Sequence, residues 1–429
     1  PEWQDLFTGR SPDTGEVVNR HFLLPSTPQE LALRGRMIEE HTRQGNSTLN
    51  LTKSVSGDAL MGLTVVCHAM DPALGTRYSE RVAAFLRHVR ERDLSVALAQ
   101  TDVKGDRRLR PHEQPDPDAY LRIVDRRADG IVVRGAKAHI TSVPVVNELI
   151  VLPTRALSAN DADYAVAFAI PVATPGLTII CRPTGSVEQS VFDYPVSRRN
   201  IETEALTVFD DVLVPWERVF MAGEWQFAGQ LATSFATFHR FTAISYKPPI
   251  GDLLVGAAVM IAEANGTAEV AHVREKVVRL IHYTELIRAC GKAAAYEATV
   301  VPPGIAVPNA VYTNAGKHHF ASHFHEACRL VQDIAGGMAI TAPCEADLRN
   351  PATGHFVAKY LKGAAGTDAV LRLRLFHLIR DLTASDFGGY NYVVTLHGEG
   401  SLSAQALATY REYDLERCRD LARRALGSD

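Results

Sequence analysis

The sequence predicts an α+β chain in three parts, with strands lying between two helical regions. Three observations predict it. Apolar residues recur at a helical period over residues 27–97. Between 98 and 225 that period gives way to short β-branched and aromatic runs separated by turn residues. From 226 to the end the helical period returns. The expected units are an N-terminal helical domain (1–97), a middle β-barrel domain (98–225) and a C-terminal helical bundle (226–429). A chain of 429 residues is long enough for two or three domains with a large core.

Taken in order, Thr27-Pro28-Gln29-Glu30 has the form of a capping box with proline at the first helical position, so a helix should run from there to about Arg43. Ser56-Gly57-Asp58 is expected to open a second helix through Met70. A third should span 77–92, with Val82, Phe85, Leu86 and Val89 on one face. Expected strands are 120–124, 131–133, 149–152, 164–170, 177–180 and 205–209, broken by Ala128-Asp129-Gly130, Asp161-Ala162-Asp163 and Thr174-Pro175-Gly176. A long helix over 270–298 carries Val273, Val277, Leu280, Ile281 and Ile287 on its apolar side. A proline-rich break follows at 299–309.

Composition excludes several classes. Hydrophobic residues make up 46% and charged residues 22%, an ordinary globular balance. The net charge of −4 gives no basis for a nucleic-acid partner, which needs a concentrated basic surface. The longest apolar run, 253–262, is about half of what a membrane span requires. The start carries no charged-then-apolar leader pattern. The six cysteines are far apart and form no CxxC pair, so reduced thiols and a cytoplasmic location are expected. His318, His319, His323 and His325 lack thiolate or carboxylate partners at ligand spacing, so no metal site is assigned.

Four segments carry candidate chemistry. Thr101-Asp102-Val103-Lys104-Gly105-Asp106-Arg107-Arg108 sits where helix gives way to strand. Its glycine lets the backbone approach an anion, and Lys104 and Arg107 are able to neutralise a pyrophosphate; a solvated turn has the same composition. Arg134-Gly135-Ala136-Lys137-Ala138-His139-Ile140-Thr141 ends in a hydroxyl suited to a ring heteroatom, or is a polar strand end. Val331-Gln332-Asp333-Ile334-Ala335-Gly336-Gly337 ends an apolar helix in a glycine cap. His397-Gly398-Glu399-Gly400-Ser401 is a glycine-spaced turn before the last helical stretch. Separately, His282 and Glu285 share a helix face and are candidates for acid/base work, although a lone His on such a helix is also a common core residue.

In order along the chain, 101–107, 120–124 with 130–139, 332–337 and 397–401 resemble the 4-hydroxyphenylacetate 3-hydroxylase / 4-hydroxybutyryl-CoA dehydratase superfamily, and most closely its dehydratase branch. The resemblance implies an acyl-CoA-dehydrogenase-like fold, whose strand motif is echoed by Gly135-Ala136-Lys137-Ala138-His139-Ile140-Thr141. It implies FAD held by Gln100, Thr101, Lys104, Gly105, Asp106 and Arg107 together with His139, Ile140 and Thr141. Gln332, Gly336 and Gly337 would contact the FAD of a neighbouring subunit, which implies a homotetramer built as a dimer of dimers.

The departures sharpen the expectation. The dehydratase branch holds an iron–sulfur cluster through three Cys and one His, which align here with Asn50, Ser54, Ala289 and His282. Without thiolates such a cluster is excluded. The acid/base Glu of that branch aligns with Val394. The hydroxylase branch's signature stands as Gly9-Arg10-Ser11-Pro12-Asp13, where Arg10 would lie at the substrate, but Thr14 replaces the Tyr that normally follows. The expected function is therefore an FAD(H2)-dependent monooxygenase, the oxygenase of a two-component system. It would receive FADH2 from a separate flavin reductase and use O2 on an aromatic or carrier-bound small molecule, with Arg10, His282 and Glu285 as catalytic candidates. The alternative is a cluster-free dehydratase or isomerase acting on an acyl thioester, with His282 and Glu285 handling the proton.

Overall fold

The computed structural model describes residues 3–46, 51–183, 189–200 and 203–427. The chain opens with a short helix α1 (Gln4–Phe7) and a hairpin, β1 (Thr8–Arg10) and β2 (Val17–Asn19). Helix α2 (Pro28–Gln44) starts where its capping box predicts: Thr27 accepts from Glu30 N at 3.1 Å, and Glu30 accepts from Ser26 N at 2.7 Å. Helix α3 (Leu51–Leu74) begins before Ser56, contrary to expectation. The Ser56 hydroxyl donates back to the Thr52 and Lys53 carbonyls, a mid-helix bond and not an N-cap. Helix α4 (Tyr78–Glu91) follows, its first turn tied down by Asp71, which accepts from the Tyr78 and Ser79 amides.

The strands are β3 (Val96–Ala99), β4 (Arg122–Arg126), β5 (Gly130–Thr141), β6 (Glu148–Val151), β7 (Val166–Pro171), β8 (Leu177–Cys181), β9 (Glu204–Pro215) and β10 (Val219–Ala222). They form two four-stranded sheets, in the orders β10-β7-β6-β3 and β4-β5-β9-β8. The sheets meet at an antiparallel bridge between Asp102 and Lys137. Among the described residues no hydrogen bonds close them into a ring. All pairings are antiparallel except β3 with β6, where Val96–Ala99 runs alongside Glu148–Val151. That non-local partner is why β3, only four residues long, carries no alternating signal of its own. β5 and β9 are each 12 residues long and outrun their expected cores, because bulges keep them paired across irregular steps.

The remaining chain is mainly helical. Helix α5 (Trp225–Ala264) is 40 residues long and continues through Pro248 and Pro249; α6 (Ala271–Tyr296) packs against it. The proline-rich break after α6 forms a hairpin, β11 (Thr299–Val301) and β12 (Ile305–Val307). Then come α7 (Ala310–Ala335), α8 (Met338–Thr341), α9 (Glu345–Arg349), α10 (Gly354–Tyr360), α11 (Ala369–Thr383), α12 (Asp386–His397), α13 (Leu402–Glu412) and α14 (Leu415–Leu426). One large apolar core joins α3 and α4 to both sheets; another fills the bundle of α5, α6, α7 and α11. No helix among the described residues is long and apolar enough to cross a membrane.

Candidate active site

The 100–107 loop leaves β3 and is fixed from several sides. Lys137 is buried and donates to Gln100 O at 2.9 Å, Asp102 Oδ1 at 2.6 Å and Leu152 O at 3.2 Å. Thr154 donates to Gln100 O and to Asp102. Ala138 N donates to Thr101 O at 2.8 Å, which ties the loop to β5. Lys104 and Gly105 both have positive φ, 80° and 51°. Gln114 clamps this turn: its Oε1 accepts from Asp106 N at 3.0 Å and its Nε2 donates to Asp106 O at 2.9 Å. A Cβ at Gly105 would run into Gln114 Oε1, so glycine is required here. Tyr120 donates to Lys104 O at 2.5 Å.

The turn gathers cations. Burial, and then the nearby Arg107, Arg155 and Lys137, push the Lys104 ammonium below its ordinary value, while Asp102 opposes them. Asp102 is already engaged by Lys137 and Thr154. Arg155 lies over the Tyr120 ring at 5.8 Å, beside a small cavity lined by Asp102, Tyr120, Lys137, Thr154, Arg155 and Tyr164. Under-compensated positive charge on a fixed turn suits a pyrophosphate. Arg155 is a member that sequence reading missed, because it lies some fifty residues from the loop it serves.

At the other end of β5 the register shifts between Lys137 and Ile140, and His139 takes φ 59° and an exposed position. Ile140 is buried. Thr141 donates to Glu204 Oε1 at 2.8 Å, and Tyr390 from α12 donates to the same oxygen at 2.7 Å. Glu204 Oε2 is buried and accepts no hydrogen bond from the described residues. An orphaned acceptor beside a hydroxyl fits a ring that offers both N–H and carbonyl groups, as a flavin does.

Other predicted residues lie elsewhere. Arg10 is exposed on the β1–β2 hairpin and donates to Gly15 O at 2.9 Å; Asp13 of the same motif pairs with Arg90. His282 and Glu285 are exposed on α6, and Glu285 pairs with Arg288, which also holds Glu39 and Asp252. Gln332 donates to Thr383 O at 3.1 Å, and Gly336 and Gly337 are exposed at the end of α7.

The aligned cluster positions also resolve differently. Asn50 lies outside the described residues. Ser54 is fully buried, 3.3 Å from His21 Nδ1. His239, on α5, also faces α3. His239 Nδ1 lies 3.3 Å from Asp58 Oδ2, and Asp58 also accepts from Arg34 at 2.8 Å and from Thr242 at 2.8 Å. Among the described residues no group of three or more His, Cys, Asp or Glu is placed to hold a metal ion.

Close to His239 lies a buried ionic centre. Glu399, at φ 56° between two glycines, accepts from Tyr246 and lies 3.2 Å from Lys247 Nζ and 3.5 Å from Lys317 Nζ. Lys247 also donates to Tyr246 at 2.8 Å, and Arg240 donates to Glu399 O at 2.8 Å. Burial pushes the Lys247 ammonium down to about 7, with Glu399 opposing and Lys317 assisting. Burial alone would raise the Glu399 carboxyl, but Lys247 and Lys317 hold it well below the ordinary range. A carboxylate thus stands one turn after Val394. The sequence marked Glu399 by its flanking glycines; a lone Lys247 in the apolar 241–262 stretch was the signal left unread.

Two family models match the chain, 4-hydroxyphenylacetate 3-hydroxylase N terminal over residues 1–221 and C terminal over 228–427. The 4-hydroxybutyryl-CoA dehydratase/vinylacetyl-CoA-Delta-isomerase of Clostridium aminobutyricum is 33% identical over 100% of this chain and 89% of that protein. The 4-hydroxyphenylacetate 3-monooxygenase oxygenase component of Thermus thermophilus is 32% identical over 90% and 79%. A crystal structure of such an oxygenase component, HpaB, complexed with FAD and 4-hydroxyphenylacetate superposes with a TM-score of 0.91 at 29% identity, over 100% of this chain and 88% of that one. Glutaryl-coenzyme A dehydrogenase, at 12% identity and a TM-score of 0.55, shares the fold alone, which is therefore acyl-CoA-dehydrogenase-like.

Proposed function

This chain belongs to the 4-hydroxyphenylacetate 3-hydroxylase family, and from that premise we propose that it is the FAD(H2)-dependent oxygenase of a two-component monooxygenase. Its substrate would be an aromatic or carrier-bound small molecule, and a separate flavin reductase would supply the reduced cofactor. The observation that carries the reading is the donor set at the positions aligned with the cluster ligands of the dehydratase branch. Asn50, Ser54, Ala289 and His282 include no thiol, and burial pushes the Cys67 and Cys328 thiols up so that they stay protonated. Redox chemistry then rests on flavin.

Bound FADH2 would supply the electrons that activate O2. The chain's own residues bind and orient. Lys104, Arg107 and Arg155 neutralise the pyrophosphate, while the Gly105 and Asp106 backbone approaches it closely. Thr141 and Glu204 offer the ring a hydroxyl and an open carboxylate oxygen, and Tyr390 holds Glu204 in place. Sheets and bundle exclude water from the ring. Gln100, Thr101, His139 and Ile140 shape the same surface. Gln332, Gly336 and Gly337 would meet the FAD of a neighbouring copy in a homotetramer. Arg10 would meet substrate. The units 1–97, 98–225 and 226–429 and a cytoplasmic location complete the proposal.

The second reading, a cluster-free acyl-CoA dehydratase or isomerase, is favoured by 33% identity to the dehydratase over the whole chain. One experiment separates them. FAD is reduced anaerobically on the purified protein, O2 is admitted with a panel of phenols, and products are analysed. Hydroxylated product formed in proportion to flavin oxidised is expected. Flavin that oxidises without product, together with a flavin absorbance change on adding an acyl-CoA, would overturn the oxygenase reading.

A further inference from the structure

Helix α7 carries four histidines within eight residues, His318, His319, His323 and His325. Spacing alone assigns them no site, but the fold separates them into different environments. His318 shares a hydrogen bond with Ser322 at 3.3 Å, and His325 packs on the Tyr392 ring with centroids 4.5 Å apart. His319 and His323 stand one turn apart on the same face, and their rings approach to 4.6 Å, centroid to centroid, at 37°. His323 Nδ1 lies 2.9 Å from the His319 carbonyl oxygen. A carbonyl only accepts, so Nδ1 carries the proton, and Nε2 of the neutral ring keeps its lone pair. His319 Nε2 is buried and has no hydrogen-bond partner among the described residues. A buried ring nitrogen left without a partner calls for an explanation. Tyr283 does not supply one: its ring lies 5.7 Å from that of His319, but its hydroxyl donates to Phe320 O at 3.3 Å. Glu326, further along the same face, is held by Arg279 and Arg329.

We infer that His319 and His323 form a two-point binding site for a divalent transition-metal ion, each giving its Nε2. Two histidines four residues apart on one helix face are a recurrent metal-binding pair. The inference accounts for both local features. A metal ion takes up the orphaned lone pair of His319. The His319 carbonyl fixes His323 in the tautomer and orientation a ligand needs, as backbone carbonyls do behind metal-bound imidazoles. Imidazole selects Zn2+, Ni2+ or Cu2+ over Ca2+ and Mg2+, which take oxygen ligands. His323 is exposed, so water reaches the ion and completes its coordination. The site is therefore open, unlike a four-ligand structural centre. Bound metal would clip one turn of α7, the helix that ends beside Gly336 and Gly337.

The test uses the full-length protein, stripped of metal by a chelator that is then removed, and titrated with Ni2+ in a calorimeter. His319→Gln and His323→Gln should each lower the Ni2+ bound by one equivalent per chain, whereas His318→Gln and His325→Gln should leave it unchanged. Ni2+ should also raise the melting temperature of the parent, and that gain should vanish in the first two variants. Melting curves without metal verify that the variants fold; His323 is exposed, so His323→Gln decides the matter even where His319→Gln is unstable. Unchanged Ni2+ uptake in His323→Gln would overturn the inference. So would equal losses in all four variants, the mark of an adventitious ion only, held by exposed imidazoles. No readout involves flavin or substrate, so failure here leaves the oxygenase reading untouched.

Discussion

Gly105 is the residue on which the loop turns. Its positive φ and the nearby Gln114 carbonyl leave no room for a side chain. Gly105→Ala should therefore displace Gln114 and weaken FAD binding about tenfold, as should Lys104→Met through loss of a charge-assisted contact. Titration of the flavin's fluorescence checks both, and unchanged affinity in both variants would remove the loop from the site. Lys247 makes a second prediction. Its folded-state pKa, about 7, lies below the ordinary lysine value of 10.5. Between those values the unfolded chain holds a proton that the folded chain has released, so this residue's share of stability rises with pH across that window. Glu399 has the opposite sense: its contribution is present above the ordinary glutamate range and is lost as pH falls below it. Urea unfolding at about pH 6 and about pH 9 should show a smaller rise in Lys247→Met than in the parent. At this scale the sequence was half legible. Lys104, Gly105 and Thr141 announced themselves by local composition. Arg155, Glu204 and His239 did not, because the residues they meet are distant in sequence, 186 positions from Glu204 to Tyr390 and 181 from His239 to Asp58.

Elements with local signals were read well. The capping box at Thr27 gave the start of α2, and the apolar face of 77–92 gave α4. Where the deciding contact is non-local, reading from sequence failed. β3 is a strand because β6 runs parallel to it, and the proline-rich 299–309 segment is a hairpin because its two arms pair. The start of α3 was misplaced because Ser56 looks like a cap but bonds backward. The α5–α6 contact is tight enough to test. A Cβ at Gly251 would run into the hydroxyl and methyl of buried Thr284. Gly251→Ala should cost about 1–3 kcal/mol by overpacking, and Thr284→Ala in the same chain should recover much of it. Denaturation midpoints measure this; no loss in the single variant would mean that the two helices are not locked there.

At the scale of the whole molecule, the three-part order was legible because each part has its own period, whereas the homotetramer came from the resemblance alone. Helix α14 buries none of its residues and leaves Leu421 and Leu426 exposed, and α13 exposes Leu407 and Tyr410. In the proposed homotetramer these faces would meet neighbouring copies. Light scattering should then give four times the chain mass, with a smaller species for Leu407→Glu combined with Leu421→Glu; a monomeric parent would contradict the proposal.

Whether flavin alone does the redox chemistry is tested most directly by isotope-labelled O2. Chelator-treated protein is supplied with enzymatically reduced FAD and a phenolic substrate, and the product is weighed by mass spectrometry. One labelled oxygen atom per hydroxylated product, with activity undiminished by removal of metal, is predicted. Unlabelled product, or activity that returns only when iron is restored, would contradict it.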